Sequence, residues 1–132
     1  MLSTERFYAI RHDDPDSASC LWDRFEADGF ATAFQTRSWV KAIRETLIAR
    51  RDADLFMVEV REVGSEKPWM LLPFCRWTCF GLRVIEFVSL GVSDLAMPVM
   101  AAEDAVAGAA EAQSLWQAVL AGLPKADLVK ID

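Results

Sequence analysis

Apolar positions along the chain recur first at helical spacing, then at alternating or continuous strand spacing, then at helical spacing again. Phe7–Arg11 suits a short opening strand. Asp14 can cap a helix that Pro15 opens and Asp16 complements at its positive end. Ala18, Leu21, Trp22 and Phe25 then fall on one face, and Gly29 ends the run. A second helix is predicted after Thr36, with Val40, Ile43, Leu47 and Ile48 in step, stopping at Asp52-Ala53-Asp54.

From Leu55 the period becomes that of a strand. Val58, Val60 and Val63 alternate with Glu59, Arg61 and Glu62 with one slip, and Gly64–Lys67 supplies a turn. PWMLLPFCRW reads as the next strand, where Pro73 implies a bulge or an edge position. Thr78–Gly81 turns the chain into LRVIEFVSL, apolar on both faces and therefore predicted to be central. Gly91–Ala101 reads as a loop. A long helix is expected from about Glu103, with Val106, Ala109, Ala112, Trp116, Val119 and Leu123 in step and Gly122 and Pro124 at its end. DLVKID is a final strand pattern. The order implies the α/β (α+β) class: two helices, three hairpin-linked antiparallel strands, a long helix and a strand, in one mixed sheet.

Composition narrows the function classes. With 53% hydrophobic and 26% charged residues over 132 positions, the chain has material for a core and is expected to form a single domain. No apolar run approaches the roughly 20 residues of a membrane span. The first residues carry charges and no apolar signal core, so a cytoplasmic protein is expected. A net charge of −6 without a basic face argues against nucleic acid. Cys20, Cys75 and Cys79 are too few for a disulfide framework. On one strand, Cys75 and Cys79 would stand about 13 Å apart, beyond the reach of a disulfide. His12 is the one histidine, so no zinc ligand set can be assembled and no metal is expected.

Four segments in series carry a family resemblance. Phe34-Gln35-Thr36-Arg37-Ser38-Trp39 resembles the "F-Q-S-x-x-W" helix entry of GNAT-type acyltransferases of the FemAB and CelD-type branch. Leu72-Pro73-Phe74 resembles its "L-P-L" strand. Gly81–Phe87 resembles its "G-L-R-V-L-x-F" strand, and Gly91–Pro98 its "G-x-S-D-Y-x-D-P" loop. The resemblance spans residues 20–132 and implies a GNAT-like N-terminal lobe of a two-lobed chain, whose second lobe would bind the acyl donor. It also implies transfer of acetyl or other acyl groups to amine-bearing saccharide or cell-envelope precursors. The alternative is a degenerate, non-catalytic GNAT-like binding module.

The resemblance makes Asp94 a candidate substrate-binding carboxylate; the other reading is an aspartate closing its own turn. Trp39 and Gln35 are candidates for an acceptor pocket, with core packing and backbone hydrogen bonding as their alternatives. Lys41 could meet an anionic substrate or stand solvated on its helix. Two departures, Leu95 for tyrosine and Ala96 for aspartate, remove polar groups from the loop. Pyrophosphate of acetyl-CoA needs a glycine-rich turn at a helix N-terminus. GVSDLAMPVMAAED offers one glycine and three carboxylates, so no cofactor is expected on this chain. Glu86 is expected to pair with Arg83 or Arg76. No catalytic residue is assigned, since no Ser or Cys triad around His12 is visible. A strand pattern that runs to Asp132 suggests that the natural chain continues, and that this portion dimerises or aggregates through an open edge.

Overall fold

In β2 (Ala53–Glu62) and β3 (Pro68–Cys79), every residue from Leu55 to Val60 and from Trp69 to Cys75 is buried. Two strands apolar on both faces must be covered on both faces, and the rest of the chain does this. The computed structural model describes residues 6–28, 36–48, 53–88, 99–100 and 109–130.

β2 and β3 pair antiparallel with Phe56 opposite Phe74 and Val58 opposite Leu72. β1 (Phe7–His12) adds antiparallel to the outer edge of β2, and β4 (Leu82–Phe87) to β3. β6 (Leu128–Lys130) lies parallel to β4, giving the order β1-β2-β3-β4-β6. β5 (Val99–Met100) pairs with β3 at Leu71 and Met70, beyond the point where β4 stops. The sheet is mixed, as expected, with β1 making the antiparallel part four strands wide and β4 internal.

One face is covered by α3 (Ala109–Gly122), whose Leu115, Ala118 and Val119 pack against Phe7, Phe56, Val58, Phe74, Ile85 and Phe87. The helix meets β1 closely. A Cβ on Gly122 would stand 2.7 Å from the Cβ of Ala9, so only glycine admits this approach. The predicted start of this helix at Glu103 lies outside the described residues.

The other face is covered by a 3-10 turn (Pro15–Ala18) leading into α1 (Ser19–Asp28), and by α2 (Arg37–Ile43) with a π turn to Ile48. Ala18, Trp22, Phe25, Val40 and Ile43 pack there on Leu55, Met57, Leu71 and Cys75. The start signals act as read. The Asp14 carboxylate accepts from the Asp16 amide at 2.9 Å ahead of Pro15, and the Thr36 hydroxyl accepts from the Trp39 amide at 3.3 Å.

Pro73 shows how an imide survives inside a central strand. The N and C=O of one residue face the same neighbour. The Pro73 carbonyl accepts from the Val88 amide at 3.1 Å on the β4 side. Its imide nitrogen therefore faces the gap between the β4 ladder, which begins at Phe74, and the β5 ladder at Leu71. That gap is a local edge, and the β2 register runs through Pro73 without a bulge. The bulge falls instead between Val60 and Arg61, where Trp69 is the extra residue of β3. The slip at Val63 marks the end of β2, where Val63 turns out to solvent.

The β3–β4 turn places Phe80 at φ 49° and Gly81 at φ 79°, the two positive dihedrals of a tight hairpin. Phe80 is fully exposed, so its ring offsets none of the left-handed strain. Phe80→Asn is expected to stabilise the fold by about 1 kcal/mol. A higher urea midpoint with an unchanged slope would show it; an unchanged midpoint would mean that the turn carries no strain.

Candidate functional site

Side chains of a strand alternate between faces, and the register fixes which ones meet across a pair. Tyr8 stands opposite Arg61, Ile10 opposite Glu59 and His12 opposite Met57. All six point to the α1/α2 face. Glu59 sits there among core residues at 2% exposure, the one buried charged residue among those described.

A carboxylate removed from water must be paired and hydrogen-bonded. Nε2 of His12, reaching diagonally across the pair, lies 2.9 Å from Oε1 of Glu59. Nε of Arg61, two residues along the same strand, donates to Oε2. Both oxygens are thereby engaged. The row continues outward: Arg61 bonds Tyr8, and the Tyr8 hydroxyl donates to Glu66 in the β2–β3 turn. At the other end Asp13-Asp14-Pro15 reverses the chain after β1 and sets Ser17 beside the ring, with Oγ 3.3 Å from Nδ1 of His12. The Ser17 hydroxyl also lies 2.6 Å from the Asp14 carbonyl, to which it can donate.

Hydrogen-bond bookkeeping defines two states of this row. The Glu59 carboxylate only accepts, so Nε2 carries a proton in both. When Ser17 donates to the Asp14 carbonyl, its oxygen accepts from Nδ1–H, and His12 is the imidazolium. When Ser17 turns its proton to Nδ1, His12 is neutral. Ser17 keeps its own proton in both states, which differ by one proton on Nδ1 exchanged with a third group while the hydroxyl rotates. Glu59 also holds the Arg61 guanidinium above its already high ordinary pKa. The Glu66 hydrogen bond raises the Tyr8 phenol above 10.0, against the opposing pull of Arg61.

The turn bearing Ser17 is clamped to α2. Asp14 pairs with Arg44 at 3.2 Å, and Asp16 with Lys41 at 3.1 Å and Arg37 at 3.3 Å, while Arg37 also holds Asp23 at 3.1 Å. Lys41, a candidate for an anionic substrate, is thus joined to the residue before Ser17. Its hydrogen bond is the main cause that lowers the Asp16 pKa below 3.8. Trp39 is half-buried and packs on the α1/α2-face core. Gln35 and Asp94 lie outside the described residues. The ends of the segment carrying Asp94 are held by β3, through Val88 at Pro73 and Val99 at Leu71. Leu71 stands opposite Glu59, so Val99, Leu71, Glu59 and Ile10 form one row across the sheet.

Arg76 and Arg83, expected to meet Glu86, both donate to Asp54, at 3.1 and 3.3 Å. Among the described residues no group of three or more His, Cys, Asp or Glu side chains is placed to hold a metal ion, and the three cysteines are free. No described helix is long and apolar enough to cross a membrane. Comparisons with protein-family models, with curated proteins and with solved structures found no match.

The site was missed because its members are far apart in sequence: Glu59 is 47 residues from His12. The one available signal was a glutamate flanked by valines inside a strand buried on both faces.

Two outcomes are expected. Glu59→Ala leaves His12 and Arg61 without their shared carboxylate and lowers stability by about 3 kcal/mol, against about 1–2 for Glu59→Gln; equal, small losses in urea unfolding would refute the pairing. Tyr8 is the chain's single tyrosine, so tyrosinate absorbance reports it alone. It should titrate above 10.0, and Glu66→Gln should bring it down. Because the folded pKa is raised, this contribution to stability is complete below about pH 10 and fades as pH rises through the folded value.

Proposed function

We propose that this chain is the acceptor-side lobe of an N-acyltransferase acting on an amine-bearing saccharide or cell-envelope precursor, and that His12 backed by Glu59 takes up the acceptor's proton. The pairing of His12 with the buried Glu59 is the observation that supports the reading. An amine at neutral pH arrives as an ammonium and must lose a proton to attack an acyl carbonyl. An imidazole with a carboxylate behind one nitrogen and an exposed hydroxyl at the other suits that task. The resemblance in the Phe34–Trp39, Leu72–Phe74, Gly81–Phe87 and Gly91–Pro98 segments supports the acyl-transfer chemistry. Acetyl-CoA or another acyl donor would be held elsewhere in a longer chain, because the segment between β4 and α3, with Gly91 and Gly108 seventeen residues apart, lacks the closely spaced glycines that admit a pyrophosphate.

The second reading is a non-catalytic binding module. It is favoured by the closure of the polar row, in which each member satisfies another and Glu59 has both oxygens engaged.

The test is acyl transfer from acetyl-CoA to a panel of amino sugars, followed by thiol release, with this chain and with its longest natural version. His12→Gln is expected to lower kcat by about 10²–10³-fold with little change in the acceptor KM. Unchanged kcat in a folded His12→Gln protein would make the pair structural and favour the binding module. Acetyl-CoA binding in calorimetry by the longer chain alone would place the donor site outside these residues.

A further inference from the structure

Ser17, His12 and Glu59 form a graded series: the carboxylate is buried, the imidazole is mostly covered, and the hydroxyl is exposed. Two contacts link them, 3.3 Å from Oγ to Nδ1 and 2.9 Å from Nε2 to Oε1. A nucleophile within reach of a base, with that base oriented by a third group, is the geometry of covalent catalysis. We propose that Ser17 is the nucleophile of this site and carries the acyl group in transit as a serine ester. This rests on the reading of His12–Glu59 as an acid–base pair and extends it to a two-step transfer.

Three features carry the assignment. The solvent-facing end of the series is a hydroxyl, so the group that an incoming thioester meets first is Ser17. Its proton has two acceptors, the Asp14 carbonyl at 2.6 Å and Nδ1, and rotation about the C–O bond carries it from one to the other. The 3.3 Å separation is the loose contact expected before substrate binds. Finally, the ion pairs of Asp14 and Asp16 with Arg44, Lys41 and Arg37 hold the turn that leads into Ser17, which fixes where the hydroxyl stands.

The chemistry closes on itself. Oγ attacks the carbonyl carbon of an acyl thioester, a C–O bond forms and the C–S bond breaks. The Ser17 proton passes to Nδ1 and on to the leaving thiolate. In the second step an acceptor amine attacks the ester carbon, a C–N bond forms and the C–Oγ bond breaks. The amine proton returns through His12 to Oγ. Glu59 stays a carboxylate and stabilises the imidazolium in each step.

Activated serines react with fluorophosphonates, which form a P–O bond and expel fluoride without needing an acyl-CoA site. The experiment treats this chain with a fluorophosphonate, locates the adduct by peptide mass mapping, and repeats it with Ser17→Ala, His12→Gln and Cys20→Ser, each checked for folding by circular dichroism. Ser17→Ala alters an exposed side chain, so its folding is not at issue. The expected result is one adduct on Ser17, absent in Ser17→Ala, formed about 10²-fold or more slowly in His12→Gln, and unchanged in Cys20→Ser. No adduct, an adduct elsewhere, or an equal rate in His12→Gln would overturn the proposal. Amine acylation separates it from the broader reading. Activity that survives Ser17→Ala but is lost in His12→Gln leaves direct transfer standing and removes the serine ester.

Discussion

The double-sided burial of β2 and β3 is the constraint on which the rest of the structure depends. Each buried Leu, Val or Phe contributes roughly 1.5–3 kcal/mol only when it is covered. Two adjacent strands that are apolar on both faces therefore demand a layer above and a layer below. α3 supplies one layer and the Pro15–Ile48 helical elements the other. Among the described residues, one carboxylate stands inside that double core, Glu59. A buried charge without partners would cost more than its neighbours contribute, so β1 and Arg61 are as necessary to Glu59 as the helices are to the core.

The site is a consequence of register. His12 reaches Glu59 because β1 pairs with β2 so that Ile10 stands opposite Glu59. A slip of one residue would send His12 to the α3 face and bring Arg11 or Asp13 toward the carboxylate. Several features hold the register. Phe7 and Trp69 meet edge to face with ring centroids 4.9 Å apart at one end of β1. Gly122 of α3 lies against Ala9 in the middle. The clamped Asp14–Asp16 turn anchors the other end. Contacts outside the His12–Glu59 pair thereby determine where the imidazole stands.

At the β3–β4 end the sheet carries a second polar group, in which Asp54 receives Arg76 and Arg83 while Arg76 also donates to the Lys125 carbonyl at 3.0 Å. Its carboxylate is exposed, and its cations tie β2, β3, β4 and the chain after α3 together. Glu59 differs in that its carboxylate is removed from water and its imidazole partner leads outward to a hydroxyl.

Local signals were legible in the sequence because they act over a few residues. Asp14-Pro15 and Thr36 start helices by satisfying nearby amides, and Gly81 ends a strand by admitting a positive φ. The periods of the apolar residues place the helices and strands, and the continuous apolar run of LRVIEFVSL identifies an internal strand. Pairing was not legible. Nothing local says that Phe7–His12 should lie beside β2, that Leu128–Lys130 should run parallel to β4, or that Asp54 rather than Glu86 should receive Arg76 and Arg83. Pro73 looked like a fault in its strand until the gap between β4 and β5 gave its imide a place to face. The sequence by itself determined which residues must be buried and where the chain must turn, because burial and turn chemistry are properties of short segments. Only the tertiary structure decided that Ser17, His12 and Glu59 meet, because strand register is set by packing between residues far apart in the chain.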